Sequence, residues 1–422
     1  MATPLTSPAG GMPPLITSVS EFEKAIAEII SGTGPIAIDA ERASGYRYSQ
    51  RAYLIQIKRT EGGSHLIDPI AVGPTSLWSK LGSELEDQEW IIHASTQDLP
   101  CLREVGLQPK ILFDTELGGR IAGCERVGLG PLCEALLDIS LAKEHSAVDW
   151  SMRPLRDEWL NYAALDVEVL IELRNAVSDL LEAQGKLEWA MEDFAAIIKA
   201  PPAPPKKDPW RRTSGMHKIR DRQTLAIIKE LWSARDRFAA EIDLSPGRVF
   251  NDEVLIEIAT KRPQLSEMER VITRRGRSAN PPIKSWHQLI EDVLDAPTSE
   301  YPELRVASTG LPPIKMWRDK SPFAYARLTH ARAAIGELSI ELAIPAENLI
   351  SPESVRRVCW PEPNIELNSE EQLDQVEDTL MDLGARHWQI DAVALALSKA
   401  ILEREPIPVA IVETPIEEGP VE

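Results

Sequence analysis

Cysteine is scarce in this chain: Cys101, Cys124, Cys133 and Cys359 are the only four among 422 residues. They show no metal-ligand spacing, so neither a disulfide framework nor a zinc site is expected. Three of them fall in apolar stretches of helical character, where free cysteine behaves as a small hydrophobe. Long apolar runs are missing too. No stretch approaches the roughly 18 consecutive apolar residues of a membrane span, and Met1 to Pro14 lacks the basic and apolar blocks of a secretory signal. The expectation is a cytoplasmic protein with no membrane partner. Positive charge is also in short supply, since 46 Lys and Arg against 66 Asp and Glu leave a formal charge of −20. Taken over the whole chain, this argues against a nucleic-acid partner, because phosphate binding rests on Lys and Arg.

The deficit is uneven. Residues 1–200 carry 17 basic against 30 acidic side chains, 201–330 carry 23 against 17, and 331–422 carry 6 against 19. Only the middle third is basic, most densely at Arg211-Arg212, Lys218-Ile219-Arg220 and Arg274-Arg275-Gly276-Arg277. Arg274, Arg275 and Arg277 are candidate phosphate contacts; the alternative is an ordinary solvated charge run. An apolar content of 43% lets a chain of this length bury substantial cores, and length alone suggests about two to four domains.

Acidic residues fall in a pattern. Asp39 and Glu41 stand one residue apart at the end of the apolar run Ile36-Ala37-Ile38, and alternation along a strand points both the same way. Asp98 follows a second apolar run, Trp90-Ile91-Ile92-His93, at an expected helix start. Tyr162 and Asp166 stand four apart in a third, helical segment and so share a face. Any one of these pairs alone reads as a solvated strand end or a helix cap. Three acid-bearing segments in order, each after or within an apolar element, read instead as one metal site. Hydrolysing a phosphodiester in line needs an activated water and a stabilised leaving alkoxide, which two divalent ions about 4 Å apart supply together. Mg²⁺ and Mn²⁺ prefer oxygen ligands, and four carboxylates carry the charge to hold two such ions. Without ions the same cluster repels itself unless some members take up protons. The tyrosine hydroxyl could orient the water, and no histidine base is required. His93, ending a buried run, reads as a hydrogen-bonded core histidine rather than a ligand.

The segments 38 to 42 (Ile-Asp-Ala-Glu-Arg) with 53 to 57 (Tyr-Leu-Ile-Gln-Ile), 91 to 99 (Ile-Ile-His-Ala-Ser-Thr-Gln-Asp-Leu), and 149 to 155 with 161 to 167 (Asn-Tyr-Ala-Ala-Leu-Asp-Val) resemble the three exonuclease motifs of the ribonuclease D family. Phe113-Asp114-Thr115, residues 130 to 137 and Arg153-Pro154-Leu155 also fit. The resemblance covers about residues 20 to 200. It implies a DEDD nuclease of the tyrosine branch, degrading nucleic acid from the 3' end with two metal ions. By that resemblance Asp39 bridges both ions, Glu41 and Asp166 complete the site of the ion that activates water, Asp98 holds the second ion mainly through waters, and Tyr162 positions the nucleophile. Two positions depart from the family: Ala40 stands where threonine is usual, and Arg42 offers a cation where a bulky apolar residue is common.

The first fold reads as an α/β exonuclease domain, a ribonuclease H-like mixed sheet with flanking helices, over 15–200, after a disordered N-terminus at 1–14. Strands are expected near 35 to 40, 52 to 58, 65 to 68 and 90 to 94, with helices near 96 to 105, 115 to 122, 129 to 138 and 157 to 183. The proline-rich segment Ala200-Pro201-Pro202-Ala203-Pro204-Pro205 breaks every periodicity, so 201–213 reads as a semi-rigid linker, with Trp210 docking it onto a domain. Two all-α helical bundles follow. Residues 214–297 resemble a helicase-and-RNaseD C-terminal (HRDC) domain, a family that binds nucleic acid or partner proteins, and 320–405 echoes the same plan in degenerate, acidic form as a packing module. Residues 406–422, rich in Pro and Glu, read as a disordered tail.

Trp150 and Arg153, beside the third motif, are candidate contacts to single-stranded RNA along with Arg42, since base stacking is sequence-tolerant; the alternative for Trp150 is a core brace. The resulting expectation is a metal-dependent 3'-5' exoribonuclease. It would release nucleoside 5'-monophosphates from single-stranded 3' ends of structured RNA such as transfer RNA precursors. A DNA 3'-5' exonuclease and a non-catalytic RNA-binding scaffold are the alternatives. The choice between Mg²⁺ and Mn²⁺ and the oligomeric state leave no mark in the sequence.

Overall fold

A computed structural model describes residues 2–141, 148–275, 281–306, 310–364 and 366–405, and among these described residues are eight strands and a series of helices. The strands are β1 Thr3–Leu5, β2 Leu15–Ile16, β3 Thr33–Arg42, β4 Ala52–Thr60, β5 Gly63–Ile67, β6 Glu89–Ile92, β7 Ile111–Asp114 and β8 Ile139–Leu141. Six of them form one sheet in the order β2-β5-β4-β3-β6-β7. The run β3-β4-β5 is an antiparallel meander, whereas β6 joins β3, and β7 joins β6, in parallel. Ile36, Ala37 and Ile38 of β3 are all fully buried. Such an unbroken apolar run marks a strand covered on both faces.

The helix Val19–Ser31 opens on a reciprocal capping box between Ser18 and Glu21 and buries Phe22, Ile26 and Ile29. The helix Asp157–Glu168 packs across β3, β4 and β5. Its C-terminus is clamped there by Lys58 of β4, whose Nζ donates to the Glu168 carbonyl at 3.0 Å and pairs with the Glu168 carboxylate at 2.8 Å. A cation at a helix C-terminus also complements the dipole. The single helix expected over 157 to 183 divides at Val169, whose N–H turns back to the Val167 carbonyl, into Asp157–Glu168 and Leu170–Ala183.

The expected disorder over 1–14 is corrected. β1 pairs in parallel with β8, Thr3 opposite Ile139, and Asn161 donates to the Thr6 carbonyl at 2.9 Å. A three-residue strand has no periodicity to read, and its partner lies more than 130 residues away.

Contact density divides the chain into two units. Residues 1–119, 126–183 and 194–307 form the first, which holds the sheet and a helical bundle: Arg222–Glu241, Pro246–Val249, Asp252–Lys261, Leu265–Arg275 and Ile283–Asp295. Leu225, Ile228, Leu231, Phe250, Leu255, Ile258 and Trp286 are among its core. Trp210 joins the same core at 5% exposure, while residues 200–207 are exposed and lack regular structure. Residues 120–125, 184–193 and 308–422 form the second unit. Three of its helices restate the bundle's plan: a 20-residue helix, a four-residue helix and a third helix start at Arg222, Pro246 and Asp252 in one and at Pro322, Ala346 and Pro352 in the other, an offset of 100 residues. The tail over 406–422, expected to be disordered, lies outside the described residues. Among the described residues no helix is long and apolar enough to cross a membrane.

Candidate active site

β3 delivers two carboxylates. Asp39 lies opposite Gln56 and Glu41 opposite Leu54 on β4. The ladder then slips: Arg42 pairs with Ala52, leaving Tyr53 as an extra residue, a β-bulge. Asp39, Ala40, Glu41 and Arg42 all border one cavity of about 440 Å³, with the bulge directly across the ladder from the last two.

Asp98 enters that cavity from a different device. It closes the short 3₁₀ turn Ser95–Gln97 and precedes the helix Leu99–Glu104. The turn is entered through Ala94 in the left-handed region, φ 56°. Asp114, at the end of β7, holds this corner: its carboxylate accepts the Ala94 and Ser95 N–H groups at 3.1 and 2.8 Å and the Ser95 hydroxyl at 2.7 Å. It also caps the next helix through the N–H groups of Glu116 and Leu117. Sequence reasoning noted Asp114 but assigned it no part in the site. Its place after Ile111-Leu112-Phe113 and before a helix is a cap signal, and that signal was the available one.

The helix Asp157–Glu168 supplies Tyr162 and Asp166 to the same cavity, and the Tyr162 hydroxyl donates to Asp166. One carboxylate oxygen from each of Asp39, Glu41 and Asp166 lies within 4.8 Å of the others. Asp98 stands beside them, hydrogen-bonded to Asp39 and 3.6 Å from Arg42 Nε. Each acid keeps some surface open to the cavity, but the surrounding protein strips away most of its water. Burial, joined by the neighbouring Asp39 charge, pushes the Asp98 carboxyl up to about 8. Burial raises Asp39 as well. Burial and the other carboxylates hold Glu41 and Asp166 well above the usual range. A hydrogen bond between two carboxyl groups needs a proton, and the raised Asp98 carboxyl is the one that donates it to Asp39. Burial and the adjacent acids also raise the Tyr162 phenol, which stays protonated and able to donate.

His93 lines the cavity and bonds Thr115 through Nδ1 at 2.9 Å; burial lowers its pKa. Arg42 also lines it. Two other RNA-contact candidates are corrected. Trp150 is fully buried, 5.8 Å from the Trp159 ring in the core around Leu54 and Ala163, so it has no face to offer a base. Arg153 spends all five of its donors inside the protein: on both Asp68 oxygens at 2.6 and 2.8 Å, and on the carbonyls of Trp150, Met152 and Tyr53. Both brace the segment preceding the Tyr162 helix. Arg277 lies outside the described residues, as do the side chains of Arg274 and Arg275.

Three family models match the chain: a 3'-5' exonuclease over residues 14–182, an HRDC domain over 224–276, and a 3' to 5' exonuclease C-terminal domain over 310–401. Ribonuclease D of Gluconacetobacter diazotrophicus is 29% identical over 280 residues, 65% of this chain and 69% of that one. Ribonuclease D of Acidiphilium cryptum is 32% identical over 235 residues, 53% and 58% of the two chains. Among solved structures, a protein from Bifidobacterium adolescentis aligns with TM-score 0.86 and 36% identity over 96% of this chain and all of that one. Escherichia coli RNase D shares the fold, with TM-score 0.61 and 24% identity over 88% and 99%. With the exonuclease, HRDC and C-terminal models in that order and curated relatives of one name, the chain belongs to the ribonuclease D family of 3'-5' exoribonucleases.

Proposed function

We propose that Asp39, Glu41, Asp98, Tyr162 and Asp166 are the catalytic residues, that the four acids hold two divalent cations, Mg²⁺ or Mn²⁺, and that the enzyme trims single-stranded 3' ends of structured RNA such as transfer RNA precursors. The supporting observation is the clustering of three desolvated carboxylates within 4.8 Å, with Asp98 beside them. Like charges so close cannot all ionise unless a cation neutralises them, and an all-oxygen donor set suits Mg²⁺ or Mn²⁺. Asp39, Glu41 and Asp166 would hold one ion, and Asp39 with Asp98 the other. When bound, such ions lower the pKa of a water and stabilise the leaving alkoxide of an in-line displacement. Tyr162, held by Asp166, orients the attacking water. The oxygen of the water bonds to phosphorus as the bond to the upstream 3' oxygen breaks; the water gives up one proton to solvent and the 3' oxygen takes one up. Arg42, at the cavity wall, offers a cation to the terminal nucleotide. The four free cysteines suit the reducing cytoplasm.

The test is to offer labelled RNA and DNA of one sequence, each with a free or phosphate-blocked 3' end, with and without Mg²⁺. Release of 5'-mononucleotides from free-ended RNA, only with the ion, is expected. Equal turnover of DNA would replace RNA as the substrate class, and metal-independent turnover would reject the site. Tyr162→Phe should lower kcat by about 10²-fold, the size of a lost positioning or proton-handling group, and leave KM within about threefold. A rise in KM at unchanged kcat would show that the phenol binds RNA and does not orient water.

A further inference from the structure

The HRDC bundle grips the hairpin that carries the catalytic strand. Residues 43–51 join β3 to β4, and the corner following the helix Arg222–Glu241 closes on them. Ser245 donates from its N–H to the Tyr46 carbonyl at 3.1 Å and from its hydroxyl to the Gly45 carbonyl at 2.8 Å. Arg248 Nε reaches the same Gly45 carbonyl at 2.9 Å, with its guanidinium 4.1 Å from the Tyr46 ring centre. Tyr48 donates to Asp236 at 3.0 Å. Asp243 is the hub: it accepts the Ser49 N–H at 2.9 Å, the Tyr53 hydroxyl at 3.2 Å and Arg51 Nη2 at 2.8 Å.

Tyr53 is the bulged residue opposite Glu41 and Arg42. Its ring is buried, its carbonyl is taken by Arg153, and its hydroxyl is held by Asp243 and Arg51. A bulge can re-aim the side chains beside it, and this one lies directly across the ladder from Glu41 and Arg42, which both border the acid-lined cavity. We infer that Asp243 is a positioning residue for catalysis, through which the HRDC bundle anchors the Tyr53 bulge and so sets the aim of Glu41 and Arg42. The inference rests on the assignment of Glu41 to the metal site. The second bundle supplies an internal comparison. At the 100-residue offset Ala343 occupies the same left-handed corner, φ 50° against 47° for Asp243. The backbone turn therefore belongs to the shared plan, and the carboxylate is what the first copy adds.

The test uses the full chain and a short unstructured RNA. Asp243→Ala should lower kcat about tenfold and leave KM within about twofold, as expected for a displaced reacting group rather than lost RNA binding. It should also raise the Mg²⁺ concentration for half-maximal rate about threefold or more, a shift that calorimetric Mn²⁺ titration should reproduce without substrate. Tyr53→Phe should give a smaller loss of the same kind and add little in the Asp243→Ala background, because both act through one contact. Asp236→Ala weakens the same domain contact away from the bulge and should leave kcat and metal dependence within about twofold of the parent. If Asp243→Ala lowers the melting temperature enough to confuse the reading, Asp243→Asn keeps the size and the bond from Ser49 and should show a milder form of both effects. Unchanged kcat and Mg²⁺ dependence in the Asp243 variants would overturn the inference, and so would equal losses in Asp236→Ala, which would indicate general tethering. Asp39→Asn run alongside separates the two levels: an active Asp39→Asn rejects the metal site itself, whereas an inactive one beside a normal Asp243→Ala rejects only the positioning role.

Discussion

Asp39→Asn should lower single-turnover release of 5'-mononucleotides by at least about 10³-fold, because metal-based stabilisation is worth several kcal/mol and each 1.36 kcal/mol is tenfold. The substitution keeps the side chain's shape but replaces an anionic oxygen with an amide donor, which cannot ligate a cation. Folding should survive it. Asp39 is not part of the apolar core of β3, and its hydrogen-bond partner Asp98 is positioned to donate to an amide oxygen as readily as to a carboxylate. The variant should even melt higher than the parent in EDTA at pH 8, since one of several mutually repelling charges is gone. A rate within tenfold of the parent would remove Asp39 from the mechanism, and a variant that fails to fold would show that the carboxylate is structural.

The metal-free protein should lose stability as pH rises, the reverse of ordinary carboxylate behaviour. Asp98 is displaced from 3.8 to about 8, and Asp39, Glu41 and Asp166 are displaced in the same direction. A group whose folded pKa is raised binds more protons in the native than in the unfolded state between its two pKa values. The slope of stability with pH is therefore negative there. The contribution is fully present below about pH 4, where both states are protonated, and is lost as pH climbs through the folded value near 8. A loss of roughly several kcal/mol is in scale, at about 1.36 kcal/mol for each unit of displacement. The melting temperature in EDTA should accordingly fall by about 10 °C between pH 5.5 and 8.5. Mg²⁺ should restore it at pH 8.5 far more than at pH 5.5, where protons compete, and its addition to weakly buffered protein should release protons. A flat melting profile with equal Mg²⁺ response at both pH values would mean that the four acids do not form one desolvated cluster.

The residue types of this site, their order and the elements that carry them were legible locally. Asp39 and Glu41 alternate on an apolar strand, and Tyr162 and Asp166 share a helical face, so each pair's common direction follows from a period of two or of 3.6 residues. Burial was legible only in outline. Trp150 and Arg153, candidate RNA contacts from their position beside the third motif, turn inward because Leu54 and Asp68 arrive there from distant parts of the chain. The bulge at Tyr53 was not legible at all, since it exists only in the pairing of β3 with β4. The corner held by Asp114 and the grip of Asp243 on residues 49–53 are likewise contacts between segments about 20 and 190 residues apart.

The sequence by itself therefore determined the chemistry available, four acids and a phenol on alternating strands and helices, because side-chain type and helical or strand period are local properties. The tertiary structure alone decided which of those groups share one cavity, which neighbours are spent as braces, and which residue of the helical bundle reaches the hairpin that follows Asp39 and Glu41. Those outcomes depend on strand register and long-range packing, where shifting a ladder by a single residue reverses every side chain beyond it.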